Sequence, residues 1–147
     1  MAAYKFGLQK LMDFRDRMEQ EKKNQLSLAL KRLEQEKDKL SELRKSQKEM
    51  DKAFAEKTSK GIAVNELKLL VNYIDYYKRE IKQQKTKIKM AEDYVASSRE
   101  ELITATQEKK MIEKLKEIDF KKYLYMEQKK EEKLIDDLVS FKGSNNS

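Results

Sequence analysis

Paired carboxylates are the residues of this sequence whose type and spacing could support catalysis. The adjacent pairs Glu131-Glu132 and Asp136-Asp137 resemble the acid and base pairs of hydrolytic enzymes. On a slender helical protein such pairs lie in water, with no pocket to shift their pKa values or hold a substrate. The sequence contains no His and no Cys, which excludes histidine-dependent nucleophilic triads and the usual nitrogen and sulfur metal ligands. We therefore expect no enzymatic activity, no cofactor and no metal site.

Positive charge suggests a second kind of chemistry. The segment from Lys78 to Lys89 holds six bases against one acid, Glu80, and the whole chain carries a net charge of +7. Such a segment could contact nucleic acid or another acidic surface. The alternative is a solvated helix face, which we favour because no aromatic platform for single-stranded nucleic acid lies among the lysines. We expect no nucleic-acid partner.

Three tyrosines, Tyr73, Tyr76 and Tyr77, cluster in the second half of the chain. Tyr77 falls on the apolar stripe described below, so core filling accounts for it. Tyr73 and Tyr76 fall off that stripe, where exposed rings mark a surface that a partner covers. The alternative is that the rings pack across neighbouring lysine stems.

Long helices are the elements predicted to position these residues. Charged residues make up 41% of the chain, so too little apolar surface exists to fill a round core. The remaining choice is between disorder and helices that each bury a narrow stripe. The absence of Pro and the abundance of good helix formers favour helices.

Apolar residues recur at alternating steps of three and four, the pattern of a coiled coil. The first stripe comprises Leu26, Ala29, Leu33, Glu36, Leu40, Leu43, Gln47, Met50 and Phe54. The second stripe comprises Leu67, Leu70, Ile74, Tyr77, Ile81, Gln84, Ile88, Ala91, Val95, Ser98, Leu102 and Ala105. After phase shifts, Leu8, Leu11 and Met18 continue the first stripe, and Ile112, Leu115 and Ile118 continue the second.

Gly61 marks the turn between the stripes, because glycine suits a helix C-terminus and Asn65 can cap the next helix. We predict helix one over residues 5–57, a turn over 58–65, helix two over 65–140 and a disordered tail over 143–147. A turn this short makes the helices antiparallel. The predicted fold is all-α: an antiparallel two-helix coiled-coil hairpin with an extended second helix, forming a single domain over residues 1–147.

In an antiparallel pair, the numbers of facing residues add up to a constant. A sum of 124 places Gly61 near the middle, and a sum of 117 is one heptad away; both alignments remain open. In either case the residues after about Ile118 lack a partner in the chain. They carry Phe120, Tyr123, Leu124, Tyr125, Met126, Ile135, Leu138, Val139 and Phe141. A partner protein or self-association should bury this overhang, and the alternative is fraying.

Several motifs resemble the FliJ family. The start at residues 4–13, YKFGLQKLMD, is similar to family starts that read F-x-L-Q-K-L-L-D, and a charged helix follows at 15–19. The turn GIAVN at 61–65, the segment EKKMIEKLKE at 108–117 and the acidic-apolar segment EKLIDDLV at 132–139 are also similar to the family. The resemblance covers nearly the whole chain.

The resemblance implies a fold and a role. FliJ-like proteins are antiparallel two-helix coiled coils similar to the γ-subunit shaft of rotary ATP synthases. They act as a non-enzymatic stalk in the flagellar type III export apparatus, with the hexameric export ATPase, the membrane export gate FlhA and export chaperones as partners. The implied location is cytoplasmic, peripheral on the inner membrane through those partners, since no run approaches the roughly 20 apolar residues that span a bilayer.

The resemblance also implies two sets of partner-binding residues. The end that holds both termini would enter the ATPase ring, through Phe6, Leu8, Leu11, Leu115, Tyr123, Leu124, Ile135, Asp136 and Leu138. The gate-contacting positions of the family lie just past the turn at i, i+4, i+7 and i+11, which here are Tyr73, Tyr77, Glu80 and Gln84; the neighbouring Tyr76 joins them.

Two other functions remain in competition. The related stalk of a virulence secretion system shares the same physics and differs only in partners; the start at 6–11 and the turn at 61–65 favour the flagellar member. A basic coiled-coil protein that binds nucleic acid would show binding that falls steeply with salt.

Overall fold

Two long α-helices, packed against each other, form the computed structural model, which describes residues 3–145. Helix α1 spans Gln9–Lys60 and helix α2 spans Val64–Asn145. No strand occurs within this described range. The predicted fold class, an all-α helical hairpin, is confirmed.

The helix ends differ from the predicted ones. Helix α1 begins at Gln9 rather than near residue 5, because residues 3–8 form a non-helical segment whose Phe6 carbonyl accepts a bond of 3.1 Å from the Gln9 amide. It continues to Lys60, since the hydroxyls of Thr58 and Ser59 donate to carbonyls one turn earlier and stay compatible with a helix.

The turn is therefore only residues 61–63, shorter than the predicted 58–65. Helix α2 begins at Val64, which places Asn65 inside the first turn instead of at the cap. At the other end α2 reaches Asn145, so residues 143–145 of the predicted disordered tail are helical. Residues 146–147 of that tail lie outside the described residues.

Gly61 ends helix α1 with a backbone φ of +86°. This left-handed conformation costs other residues about 1–2 kcal/mol because their Cβ approaches the carbonyl oxygen. The side chains of Lys57 and Lys60 lie in the last turn of α1 and Glu66 in the first turn of α2, which suits the helix dipoles.

Gly61→Ala is expected to lower the free energy of unfolding by about 1 kcal/mol. A Cβ at this position meets no atom within 4 Å, so the loss is one of backbone strain alone. Thermal or urea unfolding followed by circular dichroism measures it. Gly7→Ala is the matched control, since Gly7 is equally uncrowded and does not have a positive φ; an equal loss in both variants would contradict the assignment.

The chain divides into two compact units, and each contains part of both helices. The turn unit is Lys22–Leu102, and the terminal unit combines Met1–Glu21 with Ile103–Ser147. The expectation of one coiled-coil domain over residues 1–147 stays a prediction.

The turn unit is built on the two predicted stripes. Every stripe position from Leu26 to Phe54 and from Leu67 to Leu102 is buried or half-buried. Ala29 and Val95 are 2% and 6% exposed, so both lie inside the helix interface. At the edge of this unit, Lys22 and Glu101 pair at 3.1 Å, and their numbers add up to 123, which is close to the first of the two alignments.

In the terminal unit, the predicted continuation of the second stripe is correct at Ile112, which is 8% exposed, and wrong at its other two positions. Leu115 and Ile118 are 46% and 42% exposed. The buried and half-buried positions of α2 instead keep the steps of four and three without a phase shift: Ala105, Lys109, Ile112, Lys116, Asp119 and Tyr123. An uninterrupted helix keeps its twist, so charged side chains occupy the inner positions and leave apolar ones outside.

The matching part of α1 behaves in the same way. Leu11 and Met18 are half-buried as predicted, whereas Leu8 is 44% exposed. Glu19, a residue outside the predicted stripe, is only 8% exposed. Charged side chains thus share the inner positions of this unit with apolar ones on both helices.

Candidate functional site

Ionic contacts join the two helices in the terminal unit. Arg15 pairs with Glu108 at 2.5 Å, and the Lys109 ammonium lies 2.7 Å from Asp16 and 3.3 Å from Glu19. Hydrogen bonds from Lys109 to Asp16, and then to Glu19, raise the pKa of Lys109 above its ordinary value. The pairing explains why charged side chains are tolerated at inner positions.

The N-terminal segment packs on α2 ahead of the first turn of α1. The Tyr4 ring lies 5.0 Å from the Phe120 ring and 5.1 Å from the Tyr123 ring, and the Tyr4 hydroxyl donates to Asp119 at 2.9 Å. The part of α2 that has no partner in the chain therefore begins farther along the chain than the predicted residue 118. We define the overhang as residues 128–144, each of which is exposed.

Partial burial, and then the hydrogen bond to Asp119, raises the pKa of Tyr4 above 10.0. A raised folded-state pKa means that this contact stabilises the segment fully below pH 10 and is lost as the pH rises through the folded-state value. A nuclear magnetic resonance titration of the Tyr4 ring is expected to show a midpoint above 10.0. Asp119→Ala should move the midpoint down; an unchanged midpoint would exclude the hydrogen bond as a cause.

The proposed ring-binding residues fall into three groups within the terminal unit. Phe6, Leu8 and Leu115 line one open groove of about 390 Å³, together with Ile118 and Lys122. Leu11 is half-buried in α1, and Tyr123 lies under Tyr4. The other residues of the set are exposed on α2: Leu124, Ile135, Asp136 and Leu138. The last three of them lie in the overhang.

The proposed gate-binding residues differ in accessibility. Tyr73 and Tyr76 are 44% and 47% exposed, while Tyr77 and Glu80 are half-buried. The rings of Tyr76 and Tyr77 meet edge to face at 5.3 Å, so ring packing accounts for part of this cluster. Gln84 is only 5% exposed, and it is therefore not available on the free surface of the hairpin.

Gln84 instead pairs with Glu36 inside the helix interface. The Gln84 amide donates to the Glu36 carbonyl at 2.9 Å and to the Glu36 carboxylate. Arg32 and Lys39 lie 3.6 and 3.7 Å from the same carboxylate. The hydrogen bond from Gln84, with the nearby cations, holds the pKa of Glu36 below its ordinary value, so this 4%-exposed side chain is a carboxylate at neutral pH.

A notch in the turn unit is a feature that the sequence did not predict. It is an open groove of about 390 Å³, with Ala29 and Ala91 between the walls. Its exposed walls are Leu28, Met90 and Tyr94, with exposures of 68%, 66% and 57%. The only signal in the sequence was the small size of two stripe residues, which leaves room between the flanking side chains.

The notch also distinguishes the two sides of the turn unit. Its wall residues each precede a stripe residue by one position, and they come from both helices: Leu28, Arg32, Lys87, Met90 and Tyr94. We call this the notch side. Successive residues in a helix are about 100° apart, so residues that follow a stripe residue by one position lie on the opposite side.

Within residues 3–145, no cluster of three or more His, Cys, Asp or Glu side chains could hold a metal ion. Neither helix, over the same range, is long and apolar enough to cross a membrane.

Comparison with protein-family models gives a match over nearly the whole chain. A model of the FliJ family, described as "Flagellar FliJ protein", matches residues 4–147. The searches of curated proteins and of solved structures found no match.

Proposed function

Because this chain belongs to the FliJ family, whose members are non-enzymatic components of the flagellar export apparatus, we propose that it is the coiled-coil stalk of that apparatus. In this role it inserts into the hexameric ring of the export ATPase, stimulates ATP hydrolysis and contacts the export gate FlhA. Delivery of export chaperones with their substrates is the transport step that these contacts serve. The flagellar identity of the matched family favours this role over a virulence secretion system.

The observation that carries the proposal is the exposed apolar surface of the terminal unit. A protein that works as a monomer rarely exposes so many large apolar side chains close together, so such a surface marks a site that a partner covers. Here they include Leu8, Phe14, Ile103, Met111, Leu115, Ile118, Phe120, Leu124, Tyr125, Met126, Leu134, Ile135, Leu138, Val139 and Phe141. A ring of ATPase subunits that surrounds this unit would bury them.

The mechanism is mechanical. A helix offers different side chains in different directions, so each subunit of a surrounding hexamer meets a different surface. Subunits that bind the stalk more tightly in one nucleotide state than in another are shifted toward that state. The residues in contact with the ring do not need to touch nucleotide, and the ATPase supplies the chemistry.

The test is a hydrolysis assay with the cognate export ATPase. Adding the full-length chain is expected to raise the rate of ATP hydrolysis, and the two proteins should co-purify. An ATPase that neither binds the chain nor changes its rate would overturn the proposal. Leu115→Ser tests the groove beside Phe6 and Leu8, and Leu28→Ser is its control because that leucine is also exposed but lies in the turn unit.

Contact with the gate is proposed for the accessible part of the tyrosine cluster. Tyr73→Ala together with Tyr76→Ala is expected to weaken binding to the soluble part of FlhA by more than about tenfold, because exposed aromatic rings dominate such interfaces. Titration calorimetry measures the affinity. Leu28→Ala with Tyr94→Ala, exposed on the same side, is the matched control; equal losses in both variants would argue against a specific patch.

Cytoplasmic location at the inner membrane follows from the same proposal, since the ATPase and the gate lie at the cytoplasmic face. Gln84 has no direct part in gate contact here, because its amide is used within the hairpin. Glu80 borders the tyrosines and is half-buried.

A further inference from the structure

Positive charge is concentrated in the turn unit. That unit holds 20 bases and 14 acids, which gives it +6 of the net charge of +7. The terminal unit holds the other 14 bases and 13 acids, so its own net charge is only +1. An uneven distribution of this kind produces an attractive field for anions over one unit.

The excess charge has a defined position. On α2, Lys78, Lys82, Lys85 and Lys89 each follow a stripe residue by one position, so they form one row opposite the notch side. The row runs about 16 Å at 1.5 Å per residue.

Helix α1 adds a second row on the same side. Lys37, Arg44 and Lys48 each follow a residue of the first stripe. We call these three residues and the four lysines of α2 the lysine side. No acidic residue follows a stripe residue between positions 37 and 48 or between 78 and 89, so the side carries seven positive charges and no negative one.

These seven side chains are free to bind. All seven are exposed, and none forms an ion pair in the part of the chain that the structure describes. The nearby cations that do pair, Arg32 and Lys39, lie against Glu36 in the interface. Seven unneutralised cations repel one another unless anions cover them.

We propose that the lysine side of the turn unit binds the surface of an anionic lipid bilayer. Two rows of cations on two neighbouring helices present an extended array, which a layer of phosphate headgroups can meet at many points together. Each Lys or Arg near such a surface adds to the attraction within a Debye length. Tyr73 and Tyr76 precede stripe residues, so their rings lie on the notch side and not among the seven cations. The attraction of the lysine side for a bilayer is therefore electrostatic.

Two features favour lipid over nucleic acid. Six of the seven cations are lysines, which bind phosphate as point charges, whereas the planar arginine group is the usual reader of bases. No aromatic residue lies on this side between positions 37 and 48 or between 78 and 89, so bases have no ring on which to stack.

The experiment uses the full-length chain and lipid vesicles. Binding is measured by co-sedimentation with phosphatidylcholine vesicles in which roughly one third of the lipid is phosphatidylglycerol, and with phosphatidylcholine alone. We expect binding only to the anionic vesicles, weakening as salt is raised. The variant Lys78→Gln, Lys82→Gln, Lys85→Gln and Lys89→Gln should bind at least about tenfold more weakly.

The matched control removes four charges elsewhere, through Lys10→Gln, Lys110→Gln, Lys122→Gln and Lys133→Gln. These lysines are exposed in the terminal unit, so the control has the same net charge as the test variant. Circular dichroism checks that both variants fold. Equal losses in the two variants, or no binding to anionic vesicles, would overturn the proposal.

A duplex DNA or RNA probe forms the third arm. Tighter binding to the probe than to the vesicles, lost in the four-lysine variant, would assign the lysine side to nucleic acid and overturn the lipid proposal. The experiment contains no ATPase and no gate protein, so its failure leaves the stalk role untouched, and failure of the ATPase assay leaves the lipid result untouched.

Discussion

Removal of residues 128–147 is expected to abolish stimulation of the export ATPase while the hairpin stays folded. Every overhang residue is exposed, and the side-chain contacts that the structure describes there are local ones, such as Lys129 with Glu132 at 3.6 Å. Their loss therefore costs the helix pair little. Stimulation should return to the basal rate of the ATPase, because the ring would lose the apolar residues that it is proposed to cover.

The cut belongs after Glu127 and not near residue 120. Phe120 and Tyr123 hold Tyr4, so an earlier truncation would also release the N-terminal segment and confuse two effects. Circular dichroism on the shortened chain should show an unchanged melting temperature. Full stimulation by the shortened chain would contradict the assignment of the overhang to the ring.

Point variants separate the effect of shortening helix α2 from the effect of removing its exposed apolar side chains. Leu124→Ser, Ile135→Ser and Leu138→Ser together keep the full chain and should lower affinity for the ATPase by more than about tenfold. Leu28→Ser, Val64→Ser and Leu69→Ser form the matched control and should not lower it, because these residues are also more than half exposed but lie in the turn unit. Equal effects from both triple variants would point to a general loss of helix rather than to a contact surface.

The turn unit could be predicted from sequence because its interface follows apolar periodicity. Each stripe residue from Leu67 to Leu102 repeats at steps of three and four, and no other helix face offers as many apolar side chains. Even Glu36 and Gln84, polar members of the stripes, were placed correctly by spacing alone. A different rule locates Gly61: only a residue without a Cβ accepts its φ of +86° easily.

The terminal unit was harder to predict because its inner positions carry charge. Lys109 has the same appearance in sequence as any solvated lysine, and only Asp16 and Glu19 on the other helix make it an interface residue. By residue type, apolar Leu115 and Ile118 are the better candidates for the core, and the predicted phase shift rests on them. The unbroken steps of four and three do lead to Lys109, but residue type argues against a lysine at an inner position, and only the ion pairs across the interface explain it.

The N-terminal segment was unpredictable for a related reason. Tyr4 and Asp119 are 115 positions apart in the chain, so no local pattern connects them. The proposed binding surfaces depend on this kind of information as well. Tyr73 and Tyr76 could be recognised as exposed because they fall off the stripe, while the notch beside Met90 arises only when two alanines meet across the pair.

The Glu36–Gln84 pair is expected to be the element that fixes one alignment of the two helices. Gln84→Ala leaves an ionised carboxylate in the interface without its amide donor, so the melting temperature should fall by several degrees. Since the pKa of Glu36 is lowered in the folded state, the contribution of the pair is fully present above pH 4.5 and is lost as the pH falls through the lowered value. The melting temperature of Gln84→Ala should therefore depend less on pH below 4.5 than that of the natural chain.

Replacing both partners by leucine separates stability from alignment. Glu36→Leu with Gln84→Leu should raise the melting temperature, because two buried polar groups become packed apolar ones. It should also permit the second alignment, since stripes without this polar pair in their central part match almost equally well one heptad away. The chain has no cysteine, so introduced pairs report the alignment directly: Ala29→Cys with Val95→Cys for a sum of 124, and Ala29→Cys with Ile88→Cys for 117. The natural background should form only the first disulfide and the double-leucine background both; a single disulfide in each would show that apolar packing alone fixes the alignment.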